Sequence, residues 1–129
     1  MNNSGWTLKS RLRSFKYAIH GIGLLFRQPN ACIHAFVTLI VLLCGWWFEI
    51  SAAEWCIVMI CIGMVLAAEA FNSAIETLAD RVCEGYDAYI GRCKDIAAGA
   101  VLLAVIAVVI AGLIIFLPKF ILKFRVLFC

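Results

Sequence analysis

Glu69, Asn72, Glu76 and Asp80 stand three and four residues apart in the run Glu69-Ala-Phe-Asn72-Ser-Ala-Ile-Glu76-Thr-Leu-Ala-Asp80. At about 100° per helical residue they fall on one face. The run follows directly on an apolar stretch that belongs in lipid, where an ionisable side chain marks a functional site by default. Three carboxylates in one row repel each other and need a cation, a proton or a hydrogen-bonding substrate among them. Carboxylate oxygens suit magnesium, which takes one or two of them together with phosphate oxygens. Lys94-Asp95 follow at the start of the next apolar run, and a lysine near a helix amino terminus suits phosphate. These are the parts for phosphoryl transfer from a magnesium nucleotide to an alcohol lying in the membrane. They would equally build a proton or cation pathway, as in a small oligomeric transporter, or a polar seam that fixes helix register.

The elements that must carry this stripe follow from the composition. Of 129 residues 65% are hydrophobic and the mean hydropathy is +1.02, which excludes an ordinary soluble domain. Residues 31–48, 55–68 and 96–117 carry no Asp, Glu, Lys or Arg. Crossing ~30 Å of hydrocarbon takes roughly 20 apolar residues. The middle run is short and must borrow from its flanks, which puts Glu69 at the membrane boundary. The predicted fold is all-α and integral to the membrane, a single domain with spans over 31–48, 52–71 and 96–117. Before them, Leu8, Leu12, Phe15, Ile19, Ile22 and Phe26 recur in steps of four and three. This predicts an amphipathic helix over 5–28 lying on an anionic leaflet, as an anchor or as a lid that touches substrate.

Basic residues set the orientation. Lys9, Arg11, Arg13, Lys16 and Arg27 precede the first span, and Arg81, Arg92 and Lys94 lie between the second and third. The positive-inside rule places both segments in the cytoplasm, against a smaller vote from Lys119, Lys123 and Arg125. Trp46, Trp47 and Trp55 then form an aromatic belt at the outer connection. Asn30 is expected to cap the first span, Asp95 to cap the third and Pro118 to close it. Residues 82–92, with Gly85 and Gly91, read as a loop. No signal peptide is evident, and seven cysteines without a C-x-x-C pair read as apolar filler rather than as disulfides or a zinc site. No phosphate-binding G-x-x-x-x-G-K-[ST] loop is present, so a nucleotide would have to be held by the bundle itself.

The Glu69–Asp80 run, followed by Lys94-Asp95-Ile-Ala-Ala-Gly-Ala, resembles the prokaryotic diacylglycerol kinase family, which includes undecaprenol kinases. The resemblance extends to Ser14-Phe15-Lys16-Tyr17-Ala18 with Gly21, to Ile33-His34 and to Gly112-Leu-Ile-Ile-Phe-Leu-Pro118-Lys119. It implies a homotrimeric inner-membrane enzyme that uses ATP and Mg2+ to phosphorylate undecaprenol or diacylglycerol. By the same resemblance Glu69 is the general base, with Asn72 beside it at the lipid substrate and Ala98 lining the lipid site. Glu76 is the metal ligand that bridges to the nucleotide phosphates, and Tyr17, Gly85, Tyr86, Asp87, Lys94 and Asp95 match positions that contact ATP. Asp80 has a supporting role, and Arg11 and Arg13 are left as phosphate contacts. One departure stands out. Where the family carries a second metal-ligating Glu two residues before an Asn, this chain reads Gln28-Pro29-Asn30, which keeps a carbonyl oxygen but loses a charge.

Overall fold

A computed structural model describes residues 8–127, as four helices. They are α1 (Leu8–Leu25), α2 (Pro29–Trp47), α3 (Ala52–Val82) and α4 (Ala88–Leu127). The described residues hold no strand, as the all-α expectation requires. The last three helices are each long and apolar enough to cross a membrane. Residues 5–7 of the predicted surface helix lie outside the described residues, and 26–28 form a turn rather than helix.

α1 follows its one-sided pattern and buries none of its residues, touching only α3 among its neighbours to any extent. α2 does not begin as predicted. Its cap is Gln28, in extended conformation and without a side-chain cap bond, and Pro29 occupies the first turn. Proline there costs nothing, since the first N–H groups of a helix lack partners anyway. Asn30 therefore lies inside the helix and its side chain is available elsewhere. At the other end Glu49 takes a positive φ of 50° and turns the chain into α3. A Cβ on Gly45 would lie 2.7 Å from Cη2 of Trp55, so only glycine lets the two helices approach so closely at this turn.

α3 opens on a capping box. The Ser51 N–H donates to Glu54 Oε2 at 2.6 Å, and the Glu54 N–H donates to Ser51 Oγ at 3.3 Å, satisfying two otherwise orphaned donors. With 31 residues at 1.5 Å each, α3 is roughly 46 Å long, well beyond ~30 Å of hydrocarbon. Its final turns therefore carry the polar stripe out of the lipid on rigid helix rather than on a loop. α4, packed mainly against α3, corrects three expectations at once. It begins at Ala88, so Asp95 sits in its second turn and does not cap it. The cap is Asp87, whose Oδ1 accepts from the N–H groups of Tyr89 at 2.8 Å and Ile90 at 3.0 Å. Lys94 is likewise past the helix start. Pro118 lies inside α4 and does not end it, because the turns beyond it are held from outside the backbone. Lys119 Nζ pairs with Glu54 at 3.1 Å, Lys123 Nζ donates to the Trp47 carbonyl at 2.6 Å, and Phe120 packs against Phe48. The small buried core of Ile50, Val58 and Ile115 lies at this same end. The six described cysteines are free.

Candidate active site

At the opposite end, three spans wall a cavity of about 200 Å3. α2 contributes Asn30, Ile33 and His34, α3 contributes Glu69, Asn72 and Glu76, and α4 contributes Ala98 and Val101. Helical spacing turns Glu69, Asn72 and Glu76 inward together, and the neighbouring helices bury the deepest of them. Glu69 is 2% exposed and Asn72 4%. The Asn72 amide is oriented by one bond, from Nδ2 to Glu76 Oε1 at 3.2 Å. Its Oδ1 is buried without a hydrogen-bond partner. An orphaned buried acceptor costs about 1–3 kcal/mol, so this cavity is built to receive a donor or a cation.

Four of the sequence-predicted residues meet here, namely Glu69, Asn72, Glu76 and Ala98. One turn beyond Glu76, Asp80 leaves the cavity wall and binds Lys94 instead, Nζ to Oδ1 at 2.9 Å. This pair ties the end of α3 to the start of α4 and sets a cation beside the cavity mouth. Asp95 is exposed on α4 next to it. Tyr17 on α1 is exposed. In the loop, Gly85 accepts from Cys83 Sγ through its carbonyl, Tyr86 is 95% exposed, and Asp87 is engaged as the α4 cap. Gln28 lines a different cavity, of about 590 Å3, between α1 and α3. Within one protomer it is not brought to Glu76.

The cavity also holds residues that the sequence reading did not assign. Asn30 and His34 are one turn apart on α2 and face Glu69. Their signal was two polar side chains four residues apart at the head of an apolar run. A cap at Asn30 would start the helix at residue 31, two residues after its true start at Pro29.

Among the described residues no group of three or more His, Cys, Asp or Glu converges as a metal centre. The donors lining the cavity are the carboxylates of Glu69 and Glu76, the amide oxygens of Asn30 and Asn72, the latter unpartnered, and a single imidazole, His34, and this predominantly hard oxygen set suits a magnesium ion that completes its shell with phosphate oxygens and water. It does not suit zinc or another ion needing nitrogen or sulfur ligands.

The architecture and the cavity define a membrane-spanning α-helical protein with an acidic, oxygen-rich site at one end of its bundle. The model of the prokaryotic diacylglycerol kinase family matches residues 16–116, and the chain belongs to that family. It is 38% identical over 108 residues to the undecaprenol kinase of Bacillus subtilis (strain 168), covering 83% of this chain and 88% of that one. It is 33% identical over 121 residues to a diacylglycerol kinase of Synechocystis, covering 92% and 69%. Against the diacylglycerol kinase of Escherichia coli (strain K12) it is 32% identical over 95 residues, covering 74% of each.

Proposed function

We propose that this protein phosphorylates a membrane lipid alcohol with ATP, at the acidic cavity walled by α2, α3 and α4. The observation that carries the reading is Glu69, fully buried beside an unpartnered amide oxygen at the end of a membrane span. A base in that position is reachable by a hydroxyl held at the lipid boundary. The hydroxyl donates its single proton to Glu69, which fixes its oxygen in the cavity beside the Asn72 amide. As that oxygen bonds to the γ-phosphorus, the bond from phosphorus to the bridging oxygen breaks, ADP leaves, and the hydroxyl proton ends on Glu69. Glu76 is kept in place by the Asn72 amide. Lys94 is held at the cavity mouth by Asp80, and it meets the nucleotide phosphates as a point charge.

Magnesium, when bound, neutralises charge on the transferred phosphoryl group. Glu76 would hold it, and Gln28, which within one chain lines the other cavity, would add a neutral oxygen only from a second copy of the chain. Tyr17, Gly85, Tyr86 and Asp95 are proposed to complete the ATP site around Lys94, and Ala98 the lipid wall. We place the protein in the bacterial cytoplasmic membrane, crossed three times, as the homotrimer that the family resemblance implies; an amino terminus and an α3–α4 loop on the inside accord with the distribution of basic residues. Neither the family nor the relatives support the proton- or cation-coupled transport that the acidic stripe alone would also allow.

The acceptor is undecaprenol or diacylglycerol, and the 38% identity to an undecaprenol kinase makes undecaprenol the first to offer. The test is transfer of labelled phosphate from ATP by the purified chain in mixed micelles, with each lipid supplied separately. Labelled lipid monophosphate from at least one of them is the expected result. ATP hydrolysis without lipid product, or no turnover with either, would remove the kinase reading.

A further inference from the structure

Among the described residues, His34 alone lines both the acidic cavity and a second cavity of about 220 Å3 between the same three helices. This second cavity runs from His34 along α2 to Val41, about 10 Å at the helical rise. Its wall is mostly valine and isoleucine, among them Val58, Val65, Val105 and Ile115, and no Asp, Glu, Lys or Arg lines it. Val37 and Val109 in the same wall are exposed, which opens it sideways to hydrocarbon. The two cavities thus meet at one imidazole. An alcohol whose chain lies in the apolar cavity must bring its oxygen past that ring to reach Glu69.

The ring is half-buried and, among the described residues, has no hydrogen-bond or ion-pair partner. The other donors on these walls are placed less well for an oxygen at the junction. The Asn72 amide is turned to Glu76. Asn30 is exposed and stands one turn nearer the cavity mouth. Thr38 stands one turn deeper and does not line the acidic cavity. That leaves the N–H of His34, which an imidazole carries in either neutral tautomer. The acceptor has a place for it. A hydroxyl that donates its proton to Glu69 keeps two lone pairs, and only one of them attacks phosphorus.

We propose that His34 is an acceptor-binding residue, its ring N–H donating to the oxygen of the lipid alcohol while the adjoining chain lies in the apolar cavity. The proposal rests on the kinase reading, because it gives His34 a part in that same reaction. No bond is made or broken at the imidazole. Its contribution is orientation, holding the oxygen so that one lone pair faces the γ-phosphorus and the proton faces Glu69.

The test uses the purified full chain in mixed micelles, with undecaprenol and diacylglycerol supplied separately. His34→Phe keeps a ring of similar size and removes both nitrogens. It should raise the lipid needed for half-maximal rate about five- to tenfold, the worth of one hydrogen bond, with the ATP requirement unchanged. His34→Gln restores an N–H at similar reach and should stay within about twofold of the wild type. A second arm needs no turnover. Retention of each lipid by the chain without ATP, read by native mass spectrometry, should fall in His34→Phe by the same factor. No lipid phosphate from the wild type would remove the kinase reading, whereas unchanged lipid retention in His34→Phe would overturn the role of His34. That role is also overturned if His34→Phe raises the ATP and lipid requirements alike, or if His34→Gln loses as much as His34→Phe. In either case the loss would follow packing rather than the N–H.

Discussion

Two adjacent faces of α3 share one helix and one depth but differ in charge and enclosure. The face of Glu69, Asn72 and Glu76 is acidic, walled by α2 and α4, and tight, at about 200 Å3. The face of Ser73, Thr77 and Arg81 is neutral to basic, covered only by the loosely held α1, and wide, at about 590 Å3. The first can take a proton or a hard cation, and the second cannot. A helix rotated by one residue would exchange these faces. The capping box at Ser51 and the α3–α4 packing therefore matter to chemistry, since they set the rotation that aims Glu69 at the cavity.

The comparison is tested most severely at Glu76. Glu76→Gln keeps an oxygen for the Asn72 amide but removes the charge, and turnover at fixed magnesium should fall by about 10–100-fold, with partial recovery as magnesium is raised. Recovery by lipid instead would move Glu76 to the acceptor side of the cavity. Lys94→Met should raise the ATP concentration for half-maximal rate about tenfold, the worth of a charge-assisted contact, with little change in lipid dependence. A shift in lipid dependence alone would show that the nucleotide lies elsewhere. Gln28 stands on the second face, which makes it the sharpest border case. Gln28→Glu should lower the magnesium requirement severalfold if residue 28 reaches the ion, and an unchanged requirement would assign it to the Arg81 cavity. The smallest effect is expected at Asp87, where Asp87→Ala should cost about 1 kcal/mol of stability through the lost cap, and Asp87→Asn much less. The thermal midpoint in detergent without nucleotide reads that difference.

Much of this was legible in the sequence because periodicity and hydropathy act locally. The apolar runs located the three spans, and the spacing of Glu69, Asn72 and Glu76 put them on one face before any neighbour was known. The helix ends were less legible. Asp95 and Pro118 carry ordinary cap and stop signals, yet α4 runs past both. Asp87 offers a cap to the preceding turns, and Lys119, Lys123 and Phe120 hold the turns beyond the proline through contacts with α2 and α3. Such contacts are long-range and leave no local pattern. The same limit hid Asn30 and His34, whose part in the cavity depends on how α2 is rotated against α3. The family resemblance supplied roles for Glu69 and Glu76, but the partition between the acidic and basic faces appears only when α1 and α4 are seen against two adjacent faces of α3.

The central claim is that the buried carboxylate of the acidic face is the base for phosphoryl transfer. Glu69→Gln preserves size and hydrogen bonding and removes basicity. Turnover with labelled ATP and lipid alcohol, measured beside nucleotide binding on the same preparation, tests the claim directly. The expected result is a fall in turnover of at least ~10²-fold with nucleotide affinity near that of the parent. Turnover close to the parent's would contradict the claim, and so would a loss that tracks a matching loss of nucleotide binding.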